Sequence, residues 1–471
     1  MIDSASKYVS LLALVVGLVM VWLRPGQEDL LKVDTVISSL LKYEAKYVEE
    51  NQPRIAVGYG ACKDLFVTGS HFMINTSYPS HPQNFLGVGN MEELVSMYGF
   101  FFKAGAAAER FVHNSDLWSE LLETGVGDPD HRWGLGGNAP VMAARFAREG
   151  AKVLLGAKLS PGLAEWIPEG MEVAGGVIDT DDVHLIMEYK RNEEWDGIVS
   201  PRANRFIIHH DLNNPLVSSL EEFRMALPDF NPQLLVVGGL QMMDNFPFKE
   251  GERLERILLI RDQMAAMDEE TRVHFEMASF VDESLLTELT EHIIPQADSL
   301  GMNEQELPNL HSLLTKGEVT TMADSNPRIA DVLDQMREVY SILSVSKGTN
   351  RPVTRIHLHT LAYQAILTAK GSPWKNNGAA AVKASLTAHR HVCADKEVKA
   401  ENSFLIMDDS FSTSKEGGKR VPFINSRPLT CWEEDELGIN ICIAPVLVCA
   451  QAVQTAGGGD NISAAGLVVQ I

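Results

Sequence analysis

The sequence predicts an α/β fold: a large domain whose mostly parallel central sheet is covered by helices, with a small second unit set over it as a lid. Three observations lead there. Short β-branched runs alternate with longer stretches of helical period, the signature of strand-helix-strand units. The chain has 471 residues, 45% hydrophobic and 22% charged, which is globular composition with ample length for a buried core. Glycine and proline cluster between the periodic segments, as connections require.

The expected strands are Arg54 to Gly58, Val153 to Gly156, His184 to Glu188, Arg205 to His209, Leu234 to Gly238, Val273 to Met277 and Arg355 to His359. Tyr78 to Gly89 and the polar, glycine-bearing Ser410 to Arg420 read as exposed loops. The folded domain is expected over residues 50–471, with the lid drawn from residues 64–123 and 179–194.

Tyr8 to Leu23 form a nearly unbroken apolar run, preceded by Lys7 and followed by Arg24-Pro25-Gly26. It has the length of a signal-peptide core and falls slightly short of the roughly 20 residues of a span. Residues 1–25 are therefore read as a signal peptide or signal anchor, and Trp22 and Leu23 at the exit favour an anchor. A buried N-terminal helix is the alternative. On this reading the body lies in the endoplasmic reticulum lumen, or is secreted if the segment is cleaved. The membrane is met only through that segment. In a lumenal protein Asn75-Thr76-Ser77 is a glycosylation acceptor; Asn461-Ile462-Ser463 matches the same pattern but falls among candidate active-site residues.

The net charge of −23, from 63 acidic and 40 basic residues, argues against a nucleic-acid surface and requires any anionic substrate to meet a local cationic pocket. Five cysteines, Cys62, Cys393, Cys431, Cys442 and Cys449, contain no Cys-x-x-Cys pair, so no zinc or thioredoxin-like motif is indicated. Their odd number leaves one thiol outside any internal bridge.

Near the chain end stands Thr455-Ala456-Gly457-Gly458-Gly459-Asp460-Asn461-Ile462-Ser463. Consecutive glycines let the backbone turn tightly and aim successive N–H groups into one concavity, and a helix starting there attracts an anion. Asp460 at its edge is placed to accept the proton of an attacking hydroxyl, as transfer from a nucleotide needs. The other reading is a glycine cap with a helix-capping aspartate. Neither a P-loop nor a Rossmann fingerprint is present.

A second glycine-bearing segment, Trp133-Gly134-Leu135-Gly136-Gly137-Asn138-Ala139-Pro140, permits close backbone approach by a ligand and offers an amide for sugar hydroxyls; a strand-to-helix turn capped by Asn138 is the alternative. Asp64 and Glu109 are carboxylates of the kind that clasp sugar hydroxyls at the ends of parallel strands, though each alone is commonly a solvated acid. Two motifs offer oxygen ligands for magnesium. In His274-Phe275-Glu276 the first and third residues share a strand face. In Asn303-Glu304-Gln305-Glu306 the outer pair would share a helix face or form a capping box. Arg202-Ala203-Asn204-Arg205 provides a guanidinium for a transferring phosphate, and Arg355 to Thr360, with His359, a polar strand end; surface ion pairing and satisfied strand histidines are the alternatives.

In this order the pieces resemble the ADP-dependent glucokinases of the ribokinase-like superfamily, over the chain from about residue 54 to its end. The resemblance rests on Gly105 to Phe111, Gly136 to Ala139, His184 to Trp195, Ala203 to Phe206, Leu300 to Leu307, Arg355 to Leu361 and Gly457 to Gly466. It implies phosphorylation of glucose to glucose 6-phosphate in glycolysis, with ADP as donor and AMP as product, by a monomer holding one Mg2+ per site. Carried to matching positions, Asp64, Glu109, Gly136, Gly137 and Asn138 would hold glucose, and Asp460 would be the base. Gly457, Gly458 and Gly459 would form the anion hole, with His359 on the nucleotide side. Arg205 would reach the transferring phosphate, while Glu276, Glu306, Asn303 and Asp460 would serve the metal. The chain departs from the family at Gly60, where Asn is common, at Lys63, where an apolar residue is usual, and at Gly458, where a bulkier one is common. An ATP-dependent sugar kinase and a membrane-anchored pseudokinase are the competing readings.

Overall fold

The computed structural model describes residues 28–47, 52–73, 75–319, 324, 326–345 and 351–471. The expected signal segment, residues 1–25, lies outside them. Among the described residues no helix is long and apolar enough to cross a membrane.

All seven expected strands form, but they divide between two sheets. The larger sheet has ten strands, in the order Thr430–Glu434, Ile439–Pro445, Tyr363–Ala369, Arg355–His359, Ser299–Asn303, Arg272–Glu276, Leu234–Val237, Arg54–Gly58, Lys152–Gly156 and Met171–Ala174. From Arg355–His359 to Met171–Ala174 every pairing is parallel, and the three strands beyond Arg355–His359 extend the sheet antiparallel. Alternate side chains enter different cores, as a period of two dictates. Ala56, Leu235 and Val237 join one cluster with the helices Glu252–Ala265, Glu283–His292 and Ile329–Leu343. Ile55, Val57, Leu234 and Val236 join another with Asn138–Arg148 and Gly458–Val468.

The smaller sheet runs Ala108–Phe111, Asn204–His209, Asp182–Tyr189, Cys62–Thr68, Arg132–Gly136 and mixes parallel with antiparallel pairs. Two expected strands therefore stand here rather than in the parallel core, and Arg132–Gly136 and Asn204–His209 lie outside the stretches drawn for the lid. Its own core packs Tyr98, Phe102, Tyr189, Trp195 and Phe206 beneath the helix Met91–Ala104. That helix begins with Asn90 as its cap, accepting from the Glu93 amide at 3.0 Å, and the Glu93 carboxylate reaches back to the amide of Gly89, one residue before the cap, at 2.7 Å. It ends at Gly105, whose φ of 62° supplies the left-handed stop.

Ser410 to Arg420 is not a bare loop; Ser410–Ser412 pairs with Arg420–Pro422 as a small hairpin. Disulfides join Cys393 to Cys449 and Cys431 to Cys442, and Cys62 is free and buried. The last helix, Gly458–Val468, is buried along most of its length. Its small residues permit this: at Gly466 a Cβ would stand 3.2 Å from the His357 ring.

Candidate active site

The glycine-rich segment folds as the start of that last helix. Gly457, at φ 67°, is the N-cap, a backbone state that side chains rarely adopt. At Gly459 a Cβ would meet Cε1 of His359 at 2.9 Å, whereas at Gly458 the nearest neighbour is 4.0 Å away. Backbone conformation thus demands the first glycine and close packing the third, while the second has room for a larger side chain. Asp460 lies in the first helical turn, where unpaired amides and the helix dipole favour an anion. Asn138 Nδ2 donates to Asp460 Oδ1 at 2.9 Å, and Gln241 Nε2 donates to Asn138 Oδ1 at 2.5 Å. Burial, then repulsion from Glu276, pushes the Asp460 carboxyl up to about 7, against the pull of Asn138 and Arg205.

Asp64 and Glu109 stand within strands of the smaller sheet, not at the ends of the parallel strands where the sequence reading put them. Asp64 is the third residue of Cys62–Thr68, paired with Gly134 on one side and His184 on the other. A Cβ at Gly136 would collide with the Asp64 carboxylate, so Gly136 is a cradle for that acid. Burial raises the Asp64 carboxyl to about 6. His184 bridges two acids: Nδ1 lies 3.5 Å from Glu109 and Nε2 3.0 Å from Asp211. Asp211, fully buried, also accepts from Asn214 at 2.8 Å. Two nearby departures from the family pattern find local explanations. Lys63 pairs with Asp181 at 2.9 Å. Gly60 has φ 80°, and the space a Cβ would take is held by Asn214 Oδ1, which accepts from the Ala61 amide at 3.0 Å.

The acidic motifs meet behind the glycine turn. Glu276 is buried at the end of Arg272–Glu276, accepting from His274 at 2.8 Å and Ser463 at 2.8 Å, with His359 at 3.7 Å. Burial opposes its charge, but these histidines hold its carboxyl down at about 2. Asn303 does not share a helix with Glu306, as one reading supposed: it ends the strand Ser299–Asn303, and Glu306 opens the helix Glu306–Lys316. The two form the capping box. Asn303 N and Nδ2 donate to Glu306 at 2.9 and 2.7 Å, and Asn303 Oδ1 accepts from the Glu306 amide at 3.0 Å. Burial raises the Glu306 carboxyl to about 7. The described clusters of close ligand atoms are Cys62, Asp64, His184; His184, His209, Asp211; and His71, Asp128, Asp130, none of which includes Glu276, Glu306 or Asp460.

One cleft collects Asp64, Glu109, Gly137, Asn138, Arg205, Gly457 and Asp460. Gly136, Gly458, Gly459, His359 and the acids Glu276 and Glu306 do not line it; they stand behind or beside it. Arg205 Nη1 reaches Asn204 at 3.2 Å, and its Nε is buried without a hydrogen-bond partner. His184, Asn214 and Gln241 also line the cleft but were not among the residues expected at the site. The available signal was weak: His184 sits inside an apolar strand pattern, and Gln241 follows a Gly-Gly-Leu that reads as a plain turn.

An α/β body with a second sheet, and between them a cleft whose glycine-capped helix presents a carboxylate, defines a kinase, an enzyme of phosphoryl transfer. The conserved region of ADP-specific phosphofructokinases and glucokinases matches residues 53–469, and the chain belongs to that family. It is 32% identical to the ADP-dependent glucokinase of Bos taurus over 421 residues, 88% of this chain and 84% of that one. To the probable ADP-dependent glucokinase of Caenorhabditis elegans it is 27% identical over 430 residues, with the same coverage of 88% and 84%. Among solved structures, an ADP-dependent kinase in complex with fructose-6-phosphate and ADPβS superposes with a TM-score of 0.63 at 18% identity, covering 93% of this chain and 97% of that one. A hypothetical ADP-dependent phosphofructokinase from Pyrococcus horikoshii gives 0.59 at 18% identity, covering 89% and 97%. The fold is the one these kinases share.

Proposed function

We propose that the protein transfers the terminal phosphoryl group of ADP to a hydroxyl of glucose, giving glucose 6-phosphate and AMP. The observation that carries this reading is the shared cleft: Asp64, Glu109 and Asn138 line it together with Asp460, Arg205 and the Gly457 turn. Its acceptor side is acidic, and among the described residues Arg205 is the only lysine or arginine that lines it. An uncharged sugar suits that surroundings better than a sugar phosphate, whose second anion would face Asp64 and Glu109.

In this mechanism Asp64, Glu109 and Asn138 hold the sugar, and the attacking hydroxyl gives its proton to Asp460 as its oxygen bonds to phosphorus. The bond to the leaving AMP oxygen breaks in the same displacement. Arg205 and the amides at the helix start neutralise charge on the moving phosphoryl group. Catalysis is mainly positioning. The family implies Mg2+, and the all-oxygen donors fit a hydrated ion: both oxygens of Glu276 and of Glu306 already accept protein hydrogen bonds, so these acids would hold its waters. When bound, the ion neutralises phosphate charge. The smaller sheet acts as the lid, excluding water. Two disulfides in a chain that opens with an apolar run support a lumenal location in the secretory pathway.

A coupled assay of the full chain with Mg2+ tests the reading, crossing glucose and fructose 6-phosphate with ADP and ATP. Turnover with glucose and ADP is expected to dominate. Faster turnover with ATP would overturn the donor, and faster turnover of fructose 6-phosphate the acceptor.

A further inference from the structure

Gln241 lies on the short 3-10 turn Leu240–Met243 that follows the central strand Leu234–Val237. It is 8% exposed and lines the cleft. Its Nε2 donates to Asn138 Oδ1 at 2.5 Å, and Asn138 Nδ2 donates to Asp460 Oδ1 at 2.9 Å. Its own Oε1 is buried without a partner among the described residues. An amide presents donors at one end and an acceptor at the other, so the group behind it decides which end faces forward. Here the Gln241 donor holds the Asn138 oxygen back and turns the amine toward the carboxylate.

We propose that Gln241 is a positioning residue that acts through Asn138 on Asp460, reserving Oδ1 for the Asn138 amine and leaving Oδ2 as the atom that takes the substrate proton. The inference rests on Asp460 as the base. Its consequence is the seat of the transferred proton. Without Gln241, Asn138 can turn over and accept a hydrogen bond from a carboxyl proton on Oδ1, away from the substrate. With Gln241 in place, that turn would set its donor against the Asn138 amine. With the Asn138 amine fixed on Oδ1, the incoming proton is left with Oδ2 as its seat. The orphaned Gln241 Oε1 is consistent with a chain polarised in one direction: the donor end is committed and the acceptor end is not.

The test measures kcat and KM for glucose and ADP at one neutral pH in the full-length protein, for wild type, Gln241→Met, Gln241→Glu and Asp460→Asn, with thermal unfolding in parallel. Gln241→Met removes the donor at similar length, and kcat is expected to fall about ten-fold, the size of one buried hydrogen bond. Gln241→Glu keeps the volume but accepts instead of donating, so it draws the Asn138 amine to itself and sets the Asn138 oxygen against Asp460. Its kcat is expected to fall further than that of Gln241→Met, with KM for ADP unchanged in both variants. A merely structural role would lower the melting temperature and leave kcat of the folded enzyme near wild type, which would overturn the proposal. If Asp460→Asn retains full turnover, the base assignment fails and this inference with it. If Asp460→Asn is inactive while both Gln241 variants keep the wild-type kcat, only the relay fails.

Discussion

Asp460→Asn should do two opposite things, and the structure sets the size of both. Turnover is expected to fall about a hundred- to ten-thousand-fold, the usual worth of a general base. The fold, by contrast, should gain stability. In the native protein burial and Glu276 hold the Asp460 carboxyl at about 7 against an ordinary 3.8. The native state therefore binds more protons than the unfolded chain between those values, and stability is lost as pH rises through that window. At about 1.4 kcal/mol per pH unit, carrying the charge above pH 7 costs the fold at most about 4 kcal/mol, less to the extent that water reaches the half-buried side chain. Asparagine has no charge to lose and still accepts from Asn138 Nδ2. Its advantage should be absent near pH 4, grow toward pH 7 and stay constant above it. Calorimetry of both proteins from acid to alkaline pH, beside the coupled assay, reads both effects. A melting difference that ignores pH would refute the buried-carboxylate argument, and turnover within ten-fold of wild type would refute the base.

Three further outcomes follow from the packing. Gly459→Ala should push the His359 ring away from its 3.7 Å approach to Glu276 and lower kcat, whereas Gly458→Ala should keep activity and add up to about 1 kcal/mol of helix stability; equal activities in the two variants would contradict the contact distances. Gly136→Ala would force the Asp64 carboxylate aside and should raise KM for glucose about ten-fold or more with little change for ADP, as steady-state kinetics with each substrate varied would show. Reducing the Cys393–Cys449 bridge, which spans 56 residues, should lower stability by about 4 kcal/mol on the chain-entropy account. An unchanged melting curve in dithiothreitol would count against that bridge.

Much of the candidate site was legible because its parts carry local signals. Gly457 must be glycine for its φ, and a carboxylate at a helix start is visible in Gly-Gly-Gly-Asp. The Asn303 to Glu306 spacing held two readings, a helix face and a capping box, and both side chains fit either until the backbone is known. It resolves to the box because Asn303 ends a strand, and Ser299–Asn303, with a glycine at its centre, is too short to announce itself as one. Two adjacent charges, Lys63 and Asp64, hid Cys62–Thr68 and placed Asp64 after a strand instead of within one. Lys63 interrupts the apolar run there, yet alternation turns it to the opposite face, where it meets Asp181.

What the sequence by itself determined is the class of fold and the glycine-capped helix start that ends in Asp460, because strand period, helix period and glycine's backbone freedom are properties of neighbouring residues. Only the tertiary structure decided which strands belong to the smaller sheet, since an apolar strand reads alike in either sheet. It also decided that His184 joins Glu109 to Asp211, and that Gln241 stands behind Asn138 and Asp460. Those contacts span from 27 to 322 positions of chain. Nothing in a local pattern encodes a hydrogen bond between residues that meet only after the sheets have closed on one another.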